Sequence, residues 1–201
     1  MFWDKAAAFY DFFENVYNGK VYKGLATAVA EMIAPTDMVL ECACGTGIIT
    51  RAVAPRCQHI TATDLSDGML KQARKHCARF SDVTLCKANI MQLEYPDSSF
   101  DKVVAGNVIH LLDDPQSAIH ELERVCKPGG HIILPTYVNN EQKGRTCNAA
   151  RLLEMLGVNF KRQFSLSTYR DFFAQIGYPD VEYKLVEGRM PCAIAIIKKQ
   201  K

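Results

Sequence analysis

A glycine turn, set between two kinds of hydrophobic spacing, constrains this chain most. Met38-Val39-Leu40-Glu41-Cys42 is a short apolar run, and it stops at Cys44-Gly45-Thr46-Gly47. Residues 47–56 then read as a helix that ends by Pro55. Gly45 and Gly47 permit a tight turn and close approach of backbone to a ligand, and the helix start behind them presents free N–H groups. A nucleotide-like cofactor fits such a junction, and so does an ordinary strand-to-helix turn. Asp64 closes the next β-branched run, Ile60-Thr61-Ala62-Thr63, 19 positions after Gly45. A carboxylate there accepts hydrogen bonds from a ribose diol and equally suits a helix cap, and both roles can hold.

The alternation continues. Ser66 can cap a helix over 67–79 with Met69, Leu70, Ala73 and Cys77 on one face. Strands follow at Val83–Cys86 and Phe100–Ala105. Asp114-Pro115 opens a helix to about Cys126, Lys127-Pro128-Gly129-Gly130 stops it, and His131–Pro135 is a fifth strand. Strands alternating with helices, each strand a near-continuous apolar run, predict a parallel sheet covered on both faces. Ahead of this core lie two helical patterns. Phe2, Phe9, Phe13 and Val16 mark the first; Val21, Leu25, Ala28, Val29, Met32 and Ile33 mark the second, which ends at Pro35. Behind it, helices are expected over 145–156 and over 167–176, the latter capped by Ser167 or Thr168. Strands near 180–187 and 191–198, joined through Gly188-Arg189, should form an antiparallel hairpin.

Composition narrows the function classes. The 201 residues suit one domain, and 48% apolar with 23% charged residues is an ordinary globular balance. A net charge of +2 gives no reason to expect a nucleic-acid or membrane partner. The eight cysteines include no Cys-x-x-Cys pair, so no metal site is expected, and a reducing, cytoplasmic setting is the simplest one. No apolar run reaches the ~18 residues of a membrane span, and the start of the chain does not read as a signal peptide. Oligomeric state is not legible.

Four motifs in order carry a family resemblance. Glu41-x-Ala43-x-Gly45-x-Gly47 resembles the first motif of class I S-adenosylmethionine-dependent methyltransferases, and Asp64-Leu65-Ser66-x-x-Met69-Leu70-x-x-Ala73 resembles their second. Phe100-Asp101-x-Val103-Val104, followed by Leu111-x-Asp113-Asp114-Pro115, is similar to their fourth-strand region. Lys127-Pro128-Gly129-Gly130 looks like the turn before their fifth strand. The resemblance spans roughly residues 38–135 and is greatest to the ubiquinone/menaquinone-biosynthesis-like (methyltransferase type 11) branch. It implies a Rossmann-like, doubly wound, mostly parallel seven-stranded α/β sheet with N-terminal cover helices, in a single domain. The parts would be a helical cover over 1–34, a cofactor-binding core over 37–135, a lid or helical insertion over 137–176 and a C-terminal β-hairpin over 178–201.

The resemblance also implies roles. Glu41 would support the turn or reach the methionine amine of S-adenosylmethionine through water. Ala43, Gly45 and Gly47 would form the turn under the methionine part, and Asp64 would hold the ribose. Leu65 and Met69 would flank the adenine, with Asn89 and Ile90 at its edge and Asn107 near the amino-acid end. Ala43 and Asn89 stand where the family often has Gly and Asp. The implied reaction is in-line methyl transfer to a small, partly apolar molecule, giving S-adenosylhomocysteine. His110 is the candidate base, with a packed histidine as its other reading. Tyr10 and Tyr17 either wall the site or pack a cover helix. The rivals are a nicotinamide-dependent oxidoreductase, against which Thr50 stands in place of a third glycine, a non-catalytic cofactor-binding member of the fold, and a methyltransferase acting on RNA.

Overall fold

The computed structural model describes residues 3–4, 19–139, 158–188 and 190–200. The elements in chain order are α1 (Gly19–Ala30), β1 (Met38–Cys42), α2 (Ile48–Val53), β2 (His59–Asp64), α3 (Asp67–Cys77) and β3 (Val83–Lys87). They continue with β4 (Phe100–Ala105), α4 (Pro115–Val125), β5 (Cys126–Asn139), β6 (Phe164–Ser165), α5 (Leu166–Gln175), β7 (Glu182–Val186) and β8 (Cys192–Lys198). Seven strands form one sheet in the order β3-β2-β1-β4-β5-β8-β7, and the two-residue β6 pairs with the far end of β5. β8 runs antiparallel to both its neighbours, while β1 to β5 pair in parallel. The doubly wound, mostly parallel expectation holds, as does the closing hairpin.

Neighbouring residues of the central strands feed opposite faces, as the two-residue strand period requires. Leu40, Val103 and Ile132 pack with Ile119 and Leu122 of α4 and with Tyr169 and Phe173 of α5. Val39, Val104 and Ile133 pack with Val21, Leu25 and Val29 of α1 and with Ile49 and Val53 of α2. The apolar runs are continuous because both faces are covered.

Local signals set the helix starts. Ser66 caps α3, its hydroxyl accepting from Met69 N at 3.2 Å, and Asp114 caps α4 by accepting from Ser117 N at 3.0 Å. At α5 the cap is Ser165, two residues before Ser167 and three before Thr168; Ser165 and Thr168 satisfy each other's backbone N–H in a capping box.

Lys127-Pro128-Gly129-Gly130 does not separate helix from strand as expected: β5 begins at Cys126 and runs through it. The glycines are absorbed as an irregularity in the pairing with β4, whose register slips between Phe100 and Lys102. Gly129 takes φ +79°, and a Cβ on Gly130 would lie 2.7 Å from the Asp101 carbonyl. Two backbone bonds to Lys199 hold this stretch in place (Gly129 N to Lys199 O, 2.9 Å; Lys199 N to Gly130 O, 3.0 Å). The helices expected around Phe2–Val16 and over 145–156 lie outside the described residues, apart from Trp3 and Asp4. Among the described residues no helix is long and apolar enough to cross a membrane.

Tyr169 is fully buried, and its hydroxyl donates to the Leu134 carbonyl at 2.9 Å, tying α5 to β5. Tyr169→Phe should cost about 1 kcal/mol in urea denaturation, the net worth of one neutral hydrogen bond. An unchanged midpoint would show that ring packing alone seats α5.

Candidate active site

Parallel strands bring their carboxyl ends to one edge of the sheet, and a cavity of about 600 Å³ opens there. Its floor is the turn after β1. Ala43, Gly45 and Gly47 take φ values of +55°, +56° and +87°. A Cβ on Gly45 would meet no atom within 4 Å, but Gly45 keeps the left-handed backbone that favours glycine. Gly47 answers a different need: a Cβ there would lie 3.0 Å from Cys77 Sγ and 3.6 Å from Ala73, so α3 can pack close against the turn.

Asp64, at the end of β2, joins two turns. One carboxylate oxygen accepts from Gly45 N and the other from Ser66 N, both at 2.9 Å. Burial raises its pKa above the ordinary carboxylate value, opposed by the hydrogen bonds from Ser66 and Gly45. Glu41 lies deeper, 2% exposed, and accepts from the Thr50 hydroxyl at 2.6 Å. Burial pushes its pKa up to about 8; the Thr50 hydrogen bond works against that, and the Asp64 charge adds to it. Thr50, which stands at the position of a dehydrogenase's third glycine, therefore has a definite task in this turn.

The remaining walls come from three elements. Leu65 and Met69 follow β2, and Leu65 is 42% exposed, unusual for a large apolar side chain. Asn89 and Ile90 follow β3; the Asn89 side-chain carbonyl accepts from Met91 N at 3.0 Å, which leaves its amide N–H groups for other partners. Gly106 and Asn107 follow β4, where Asn107 takes φ +53° and its N–H donates to the Pro135 carbonyl at 2.8 Å.

Of the ten residues expected to hold the cofactor, nine line this one cavity: Glu41, Ala43, Gly45, Asp64, Leu65, Met69, Asn89, Ile90 and Asn107. Gly47 is not on the lining; it is where α3 closes on the turn. His110 lies outside the cavity. Its Nδ1 is 2.8 Å from the Thr136 hydroxyl, and its ring stacks at a tilt on Phe160, with centroids 5.1 Å apart. Burial brings its pKa down to about 3, a weak base. The packed-histidine reading is the one this geometry supports. Tyr10 and Tyr17 lie outside the described residues.

Trp3, Tyr22 and Leu25 also line the cavity; from the sequence Trp3 and Tyr22 have the same two readings as Tyr10 and Tyr17, a wall of the site or packing of a cover helix, and Leu25 belongs to a helical pattern. Nothing in the sequence separates a cover-helix aromatic that faces a cavity from one that faces a core. Cys44 is a wall as well; burial lifts its thiol well above the usual range, so it is an apolar lining and not a nucleophile. Among the described residues no group of three or more His, Cys, Asp or Glu could hold a metal ion.

Three comparisons bear on this geometry. Residues 40–134 match the family described as "Methyltransferase domain". Demethylmenaquinone methyltransferase of Clavibacter sepedonicus is 32% identical over 120 residues, which is 60% of this chain and 49% of the relative. The enzyme of the same name from Symbiobacterium thermophilum is 35% identical over 139 residues, 65% of this chain and 55% of the relative. The chain thus spans about half the length of the relatives it matches. The crystal structure of a putative S-adenosylmethionine-dependent methyltransferase from Methanococcus maripaludis superposes with a TM-score of 0.73 at 18% identity, covering 100% of this chain and 95% of that one.

The raised pKa of Glu41 makes a prediction about stability. Glu41 ionises near 4.5 when free and near 8 when folded, so between those values the unfolded chain binds fewer protons. Its contribution to stability therefore falls as pH rises through that window. Glu41→Gln removes this penalty, so the variant should gain stability relative to the parent from about pH 4.5 to 8 and then level off, measured by urea denaturation. Parallel pH profiles would contradict an ionisable Glu41 with a raised pKa.

Proposed function

We propose that residues 40–134, which match the methyltransferase-domain family, form a class I S-adenosylmethionine-dependent methyltransferase core of the ubiquinone/menaquinone-like branch, and that the chain transfers a methyl group to a small, partly apolar acceptor bound beside the cofactor in the 600 Å³ cavity. The single observation that carries this reading is the convergence on that cavity of nine residues named from the sequence resemblance.

The residues present fit the cofactor. Gly45 leaves open space above the turn, and the exposed Leu65 supplies an apolar surface for a base. Asp64 spends two lone pairs on the turn, and a carboxylate has about four acceptor sites in all, so it can also accept from a ribose diol. Glu41 is placed to accept from an ammonium group; a positive charge there would favour its ionised form. The cofactor supplies an already activated methyl on a sulfonium centre.

What the chain must then do is position the acceptor and exclude water. Trp3, Tyr22, Leu25, Val108, Leu111 and Leu112 give that part of the cavity an apolar character. The lining carries the titratable groups Glu41, Asp64, Asp113 and Tyr22, and the sulfonium's own activation leaves positioning as the chain's first task. The helical cover over 1–34 and the lid over 137–176 belong to the same reading. Thr50 is committed to Glu41, and this does not favour the nicotinamide alternative. We place the protein in a reducing compartment, where Cys42, Cys44, Cys77, Cys126 and Cys192 serve as small buried apolar side chains.

Calorimetric titration with S-adenosylhomocysteine, with NADH in parallel, tests the reading. S-adenosylhomocysteine alone should bind, at about micromolar Kd, and Asp64→Asn should weaken binding about tenfold or more, as expected for loss of charge-assisted hydrogen bonds. Binding of NADH in preference, or of neither ligand, would overturn it.

A further inference from the structure

Trp3 and Asp4 reach the cavity from outside the sheet and touch both of its sides. The Asp4 carboxylate accepts from the Ser66 hydroxyl at 2.6 Å and from Gly68 N at 3.1 Å, at the first turn of α3. Ser66 passes this contact inward: its own N–H donates to Asp64, and its hydroxyl also accepts from Met69 N. The fit is backbone on backbone. A Cβ on Gly68 would lie 2.6 Å from the Asp4 carbonyl oxygen and 2.7 Å from its Cα, so only glycine leaves room for the segment. Gly68 does not have a positive φ, so close approach alone requires glycine here.

Trp3 meets the opposite side. Its side chain lines the cavity and packs with Leu111, Tyr137 and Phe160 around the buried Val158 and Met190. Leu111 follows β4, and Tyr137 lies on β5. The residue pair therefore runs from the end of β2 across to the β4–β5 side, over the carboxyl ends of the strands between them.

We propose that Asp4 is a positioning residue: clamped to Ser66 and Gly68, it seats the Trp3 indole as a wall of the cavity, and this clasp must release before the cavity's ligand can exchange. The exchange part rests on the cofactor reading above; the seating of Trp3 does not.

Trp3 is the sole tryptophan of the chain, so its fluorescence reports the clasp directly. In the ligand-free protein, Asp4→Ala and Gly68→Ala should both move the emission to longer wavelength as the indole enters water, with Asp4→Asn intermediate. Gly68→Ala separates the clasp from general damage, because alanine favours the helix and should leave the melting temperature unchanged or raised. Stopped-flow release of S-adenosylhomocysteine should be faster in both alanine variants by about three- to tenfold, the worth of one or two hydrogen bonds. Unshifted emission in both variants would overturn the seating of Trp3, and shifted emission with unchanged release would overturn the exchange step. If the parent protein binds no S-adenosylhomocysteine, the cofactor reading and the exchange step that rests on it fall together, and the emission still decides the seating of Trp3.

Discussion

Much of this structure depends on one carboxylate. Asp64 receives the amide of Gly45 on one oxygen and that of Ser66 on the other, so it fixes the turn after β1 against the turn after β2. Parallel strands bring these turns to the same edge, but pairing alone would leave them free to splay. The bond from Cys44 N to the Thr63 carbonyl at 2.9 Å adds a backbone tie at the same seam. Left-handed backbone at Ala43, Gly45 and Gly47 follows from bending the chain away from this anchor. At Ala43 that conformation is held without the freedom of glycine, a local cost of order 1 kcal/mol carried by the surrounding bonds.

Behind the turn, burial does the tuning. Glu41 is enclosed by β1, β2 and α2, with Thr50 as its only described side-chain donor. A carboxyl there holds its proton more strongly than in water, and a cationic group in the cavity would reverse that preference. His110 shows the same effect with the opposite sign, because burial disfavours its protonated form. Two titratable groups from one sheet edge are thus set apart by position: Glu41 faces the cavity, and His110 is packed among aromatic rings.

The central strands and the cavity floor were legible in the sequence because each rests on a local rule. Apolar runs of strand length, glycine at the turn, a carboxylate at the end of the second strand and Ser66 or Asp114 at a helix start are short-range signals, and the structure uses them as such. Misreadings arose where long-range contacts override a local signal. Lys127-Pro128-Gly129-Gly130 reads as a break, yet the β4 pairs that flank it (Phe100 with Cys126, Lys102 with His131) and the backbone bonds to Lys199 keep it in the strand. The cap at Ser165 was missed because Ser165, Ser167 and Thr168 are all capping residues within one turn. The place of His110 depends on Thr136 and Phe160, which are distant in sequence. Trp3 is similar, since nothing near it in the chain reveals that Gly68 makes room for its neighbour.

The central claim is that the joined turns after β1 and β2 make one ligand-binding floor. Amide chemical-shift mapping with S-adenosylhomocysteine tests it most directly. The account predicts perturbed amides at Glu41–Gly47, Asp64–Met69, Asn89–Ile90 and Gly106–Val108, with little change around His110 and Phe160. Shifts centred on His110 and Phe160, with the Gly45 and Ser66 amides unmoved, would contradict it.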